Sequence, residues 1–306
     1  MEFLNICLMY IVLGLMVLVG VAFITLMEQK ILGCVQIRIG PNKSGYWGML
    51  QPFADAVKLF NKETGILREA TMGLFLIAPM GGLSLALMLW VVVPVSAGGL
   101  DFSLGVLFFI CVSGLGVYPI LGSGWASNCK YSIMGSLRAV AQMVSYEVSL
   151  AMVLLSIVWV VSSFNLGIIK SSQNLVWGLL VFFPLSLIWF ASSLAETNRT
   201  PYDFAEGESE LVSGFNTEYS AGGFTLIFMA EYASILFMSL FFSVLFLGGN
   251  LSELSFMWKV MVMGFAWVWV RGSVPRFRYD KLMYLAWKSF LPISLMLFIM
   301  YLGILL

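Results

Sequence analysis

Apolar residues in this chain come in long unbroken runs, and that pattern restricts the fold more than any other feature. Eight stretches, near 4–27, 72–94, 102–122, 139–162, 175–195, 223–247, 254–270 and 285–306, are apolar enough to cross a bilayer. A helical crossing takes about 20 residues. The runs are continuous rather than alternating in pieces of about ten residues, so they predict helices and not a β-barrel. The run at 254–270 is short and holds Lys259, so its ends are expected to extend. Only 10% of residues are charged, against about 25% in soluble domains, which excludes a water-soluble fold. The expectation is an all-α membrane protein of eight transmembrane helices, forming one transmembrane domain over residues 1–306, with no internal repeat.

The basic residues orient the bundle. The loops at 28–71, 123–138, 196–222 and 271–288 share one face and carry fourteen of the sixteen Lys and Arg residues. Only Lys170 and Lys259 lie on the other side. Basic loops stay on the cytoplasm-like or matrix-like face, which puts both termini opposite. No basic region precedes the first run, and its length fits a true span rather than a leader.

Within the first basic loop, Gly40-Pro41-Asn42 predicts a turn, and Gln51 to Phe60 predicts a helix with Pro52 in its first turn. Leu50, Phe53, Val57 and Phe60 fall on one face, apart from Asp55, Lys58 and Lys62. That pattern fits an amphipathic helix in the membrane interface, ending near Thr64-Gly65.

Several chemistries are disfavoured. There is no histidine, the net charge is zero, and Cys7, Cys34, Cys111 and Cys129 form no C-x-x-C pair. A zinc, haem or iron–sulfur framework is therefore not expected, nor is attraction to nucleic acid. There is no Gly-rich dinucleotide fingerprint and no phosphate loop.

The informative residues are acids in apolar surroundings. Glu147 and Glu231 stand inside predicted spans. Each lies about nine residues from the basic face, roughly 13 Å at 1.5 Å per residue, near mid-membrane. Carboxylates at that depth more often line a polar path than serve as structural glue. Glu28 and Glu196 end the first and fifth spans on the basic side. Together the acids predict a wet path from mid-membrane to one face only. A half-channel cannot pump alone, so the chain is expected to be coupled to something else.

The loop after the fifth run is the strongest local signal. It holds Glu196, Asp203, Glu206, Glu208, Glu210 and Glu218, with Arg199 as its sole cation. Thr200-Pro201 predicts the start of a short helix, which would place Asp203, Glu206 and Glu210 on one face. So many carboxylates near a membrane cannot all ionise cheaply. The segment 271–281, with Arg271, Arg276, Arg278 and Lys281, offers compensation, and the loop is expected to take more than one conformation.

These blocks resemble the mitochondrial NADH-ubiquinone oxidoreductase chain 1 family, the quinone-site membrane subunits of respiratory complex I. The resemblance rests on Arg38-Ile39-Gly40-Pro41-Asn42, Gln51 to Leu59, Ala195 to Phe215, Met229-Ala230-Glu231-Tyr232 and Pro275 to Asp280. It implies eight helices in the mitochondrial inner membrane, with the basic loops facing the matrix. It implies ubiquinone as substrate, while NADH, FMN and the Fe–S clusters reside in partner subunits. It also implies hydrophilic-arm partners on the matrix side and antiporter-like membrane subunits laterally, within lipid. By the same resemblance, Glu28, Asp55, Phe228, Tyr232, Arg271 and Arg276 line or border the quinone tunnel. Glu147, Glu196, Asp203, Glu206, Glu208, Glu210 and Glu231 form an acidic relay. The family usually has Glu-Arg-Lys at the end of the first span, whereas this chain has Glu28-Gln29-Lys30. Gln29 keeps donors but loses the charge. The competing readings are a stand-alone proton-linked transporter, which needs acids reaching both faces and usually two related halves, and a structural anchor, which has no use for mid-membrane acids.

Overall fold

The computed structural model describes residues 2–65, 68–94, 100–174, 176–205, 207, 213–249 and 253–305. Among the described residues there are helices and turns and no strand. The long helices are α1 (Glu2–Val35), α3 (Met72–Leu89), α6 (Lys130–Val161), α10 (Ala221–Phe242) and α11 (Leu254–Ser273). Shorter ones are α2 (Gln51–Phe60), α4 (Gly105–Leu115), α5 (Val117–Ala126), α7 (Leu166–Ser171), α8 (Gly178–Val181), α9 (Phe183–Glu196), α12 (Tyr279–Leu285) and α13 (Leu291–Leu305).

Six helical segments among the described residues are long and apolar enough to cross a membrane: Leu4–Val35, Met72–Val92, Gly105–Ala126, Lys130–Val161, Ala221–Leu247 and Tyr279–Ile304. The other two expected runs are also helical, but each departs from that standard for a visible reason. In the fifth, Phe182 leaves helical geometry (φ −110°, ψ 34°) just ahead of Pro184, splitting α8 from α9. Pro184 lacks an N–H to continue an incoming helix and is at home in the first turn of a new one. The seventh, α11, is unbroken but carries Lys259 and Arg271 within its length.

Helix ends differ from expectation where polar residues continue a turn. Helix α1 runs on through Glu28-Gln29-Lys30 to Val35, and α6 begins at Lys130, ahead of its apolar stretch. The α2 helix stops at Phe60, before Thr64-Gly65. The basic segment after α1 folds back onto it so closely that Gly33 and Gly40 touch: a Cβ on Gly33 would sit 3.0 Å from the Gly40 nitrogen. A side chain at either position would force the two strands of chain apart.

The expected helix starting at Pro201 does not form over its described part, where residues 201–205 are turns. Tertiary contacts override the local capping signal. Phe277 N–H donates to the Pro201 carbonyl at 3.1 Å. Tyr202 stacks on Phe277 with ring centres 5.6 Å apart, and Phe204 meets Tyr279 edge-on. Glu206, Glu208 and Glu210 lie outside the described residues.

Helix α10 is the central element. It packs along α3 and touches α1, α11 and α2. Helix α6 holds the other side through α5, α9 and α13. Between them Phe109, Trp189, Phe237, Phe241 and Phe246 form a buried aromatic cluster. Rings at these separations add packing beyond the area they bury.

Candidate functional site

Two consecutive residues of α10 point into different spaces. Each residue advances a helix by about 100°, so Glu231 and Tyr232 diverge. Tyr232 and Ile235, with Glu28, Arg199 and Arg271, line a small cavity of about 20 Å³ between α1, α10 and α11. Ile227, Ala230, Glu231, Ser234 and Met238 line a larger one of about 130 Å³. Its other walls come from α3, α4 and α5, from Met143 of α6, and from Glu196, Thr197 and Asn198.

The smaller cavity is ringed by charge. Arg271, near the end of α11, donates from Nη1 to Glu28 Oε1, and Tyr232 lines the same cavity. Glu28 is buried, whereas its neighbour Gln29 is exposed. The Arg199 guanidinium lies 4.4 Å above the Tyr232 ring, within cation–π range.

Arg199 joins the two spaces. Its Nη2 lies 3.5 Å from Glu231 Oε2, so a residue of the smaller wall is ion-paired with a residue of the larger one. Arg199 is only 7% exposed. A buried cation of this kind persists only when paired.

On the far wall, Glu196 ends α9 and is close enough to Glu147 for the two charges to repel. Glu147 projects from α6 toward Gly114, where a Cβ would come within 2.7 Å of Oε1. Glycine at that position leaves room for the carboxylate. The Oε2 of Glu196 and the Oδ1 of Asn198 are buried without a hydrogen-bond partner among the described residues. Such atoms need water or another polar group.

The remaining described candidates are not among the lining residues of either cavity. Phe228 continues the Tyr232 face, with ring centres 6.5 Å apart. Asp203 is buried and pairs with Arg276 at 3.4 Å, fastening the loop to the segment before α12. Burial raises the Tyr202 phenol above its ordinary range, so it stays protonated. Asp55 lines neither cavity. It accepts from Gln51 at 2.9 Å, and Ser44 in turn donates to Gln51. Among the described residues no cluster of three His, Cys, Asp or Glu could hold a metal.

Arg199 and Gln142 were not among the expected site residues. Arg199 had a signal, as the sole cation of an acidic loop. Gln142 had none beyond being an amide in an apolar run.

The family model described as NADH dehydrogenase matches residues 8–302. The chain belongs to the NADH dehydrogenase family. Within it, the protein of Aedes aegypti called NADH-ubiquinone oxidoreductase chain 1 is 53% identical over 96% of this chain and 94% of its own length. The same-named protein of Anopheles gambiae is 54% identical over equal shares. That of the opossum Monodelphis domestica is 51% identical over 94% of this chain and 93% of its own.

Proposed function

We propose that this chain is a core membrane subunit of respiratory complex I in the mitochondrial inner membrane, with its basic loops toward the matrix. All eight expected apolar runs serve as crossings, the split fifth run and the charged seventh included. In this reading residues 1–306 act as one transmembrane domain. The exposed face of α2, with Leu50, Phe53, Val57 and Phe60, lies in the membrane interface.

The smaller cavity is one wall of a ubiquinone tunnel, bordered by Glu28, Gln29, Asp55, Phe228, Tyr232, Arg271 and Arg276. At about 20 Å³ it holds little more than a water, so a hydrophilic-arm partner completes it. The chain carries no redox centre of its own. NADH, FMN and the Fe–S clusters belong to the partners, which deliver electrons to the quinone. Reduction takes up protons and changes the charge facing Arg199 and Tyr232.

The observation that carries this reading is the Arg199–Glu231 contact at 3.5 Å. A change of charge in the tunnel alters how firmly Arg199 holds Glu231. Glu231 then gains or gives up a proton toward the larger cavity, where Glu196 stands, with Glu147 beyond it as the next acid. Asp203, Glu206, Glu208 and Glu210 extend this acidic relay on the matrix side, and antiporter-like subunits receive it laterally. The coupling is electrostatic and needs no large displacement.

The test is photolabelling of the intact complex with an azido-ubiquinone. Labelled peptides should include residues of the Glu28–Tyr232–Arg271 wall, and excess ubiquinone should suppress the label. Labelling confined to other surfaces of the chain would exclude the tunnel assignment.

A further inference from the structure

The proposed relay places Glu196 and Arg199 in one short stretch, yet regular structure stops at Glu196, the last residue of α9, and turns follow from residue 197. Something must hold that stretch in register. Gln142, on α6, is fully buried. Its Nε2 donates to the Ala195 carbonyl at 2.9 Å and to the Tyr202 carbonyl at 2.7 Å. The amide orientation is fixed by these partners, because the oxygen in that place would face two other oxygens. Both N–H groups of one side chain are thus spent on carbonyls that bracket Glu196 and Arg199.

The bracket has definite consequences. Ala195 precedes Glu196, and Tyr202 precedes Asp203, which pairs with Arg276. Gln142 also lies on the helix that carries Glu147, five residues away. Helical spacing places Glu147 within one to two turns of it. The same helix therefore presents one relay carboxylate and ties down the segment that presents the next.

We infer that Gln142 is a positioning residue for the proposed relay: its amide clamps residues 195–202, holding Arg199 on Glu231 and Glu196 opposite Glu147. Gln142 touches neither quinone nor a transferred proton. The inference rests on the relay reading for its functional consequence, but the clamp itself is a structural claim with its own readout.

Two substitutions separate clamping from packing. Gln142→Met keeps the length and volume and removes both donors. Gln142→Asn keeps the amide but withdraws it by one C–C bond, about 1.5 Å, so it reaches at most one carbonyl. Both are compared with wild type in the assembled complex. Amide hydrogen exchange is followed over residues 196–205, together with kcat and KM for ubiquinone and protons moved per electron. The clamp predicts exchange in that segment at least tenfold faster in Gln142→Met, with a smaller rise in Gln142→Asn. It also predicts a several-fold fall in kcat with KM within about twofold, and fewer protons per electron. Wild-type exchange in both variants overturns the clamp, as does a rise spread evenly over α6 and α9. Faster local exchange with unchanged proton stoichiometry upholds the clamp and overturns the relay reading. A Glu231→Gln control identifies that case, because it too would then leave stoichiometry unchanged.

Discussion

Arg199 and Glu231 meet at 3.5 Å across the seam between two cavities, each contributing to a different wall. Neither residue is near the other in sequence. The pair exists because α10 presents successive residues to opposite spaces and because the turn after α9 brings Arg199 back against it. Removing one partner from a buried pair costs about 3–5 kcal/mol, whereas removing both with good packing is often neutral. Arg199→Met should therefore reduce assembled complex strongly, and Arg199→Met combined with Glu231→Leu should restore much of it. The assay is the amount of intact complex on native gels. Equal loss in the single and double variants would mean the two residues do not depend on one another.

Gly114 offers a narrower test of Glu147. An added methyl would meet the carboxylate at 2.7 Å, and the side chain, not the backbone, is what gives way. Gly114→Ala should assemble normally and cost little in stability, because the displaced atoms are the far end of a flexible side chain. Proton movement should fall while quinone binding stays near wild type. Normal proton movement in this variant would place Glu147 outside the path.

At position 29 the structure separates two neighbours, with Glu28 buried and Gln29 exposed. The family's usual arginine should be accommodated. Gln29→Arg is expected to assemble and to shift the affinity of tunnel inhibitors only modestly. Failure to assemble would show that the side chain is desolvated in the complex, where a lone cation is costly.

The loop prediction concerns Asp203. Its bond to Arg276 is partly open to solvent, since Arg276 is exposed, so the pair itself contributes no more than about 1 kcal/mol. Asp203→Asn should leave assembly intact and speed chemical labelling of residues around the loop in the quinone-free complex, with quinone reversing part of the change. Labelling rates that match wild type and ignore quinone would make the loop a fixed element.

How far the sequence alone reaches is clear from particular residues. Glu28, Glu147, Glu196 and Glu231 stood out because charge in an apolar run has few bland explanations; Glu28 lines the smaller cavity and Glu196 and Glu231 the larger, while Glu147 lies against Gly114. The turn conformation at Pro201–Ala205 was not legible, because Thr200-Pro201 is a good local start signal, and it is distant contacts, among them those with Phe277, Tyr279, Gln142 and Arg276, that defeat it. The break at Phe182 was foreshadowed by Pro184, but apolar continuity hid it. Gln142 was invisible because its partners, Ala195 and Tyr202, are more than fifty positions away, and nothing in an isolated amide names its acceptors.

The central claim is that Glu231 passes the effect of quinone reduction into the larger cavity. It is tested most directly by proton stoichiometry in Glu231→Gln, with the complex reconstituted in sealed vesicles and driven by NADH and ubiquinone. Gln preserves shape and can still face Arg199, but it cannot release a proton. The account predicts less assembled complex, because Arg199 loses its charged partner, and in the complex that does assemble a quinone reductase rate that falls and protons per electron that fall further. Full activity with wild-type protons per electron would contradict it, and would leave Glu231 as a structural partner for Arg199.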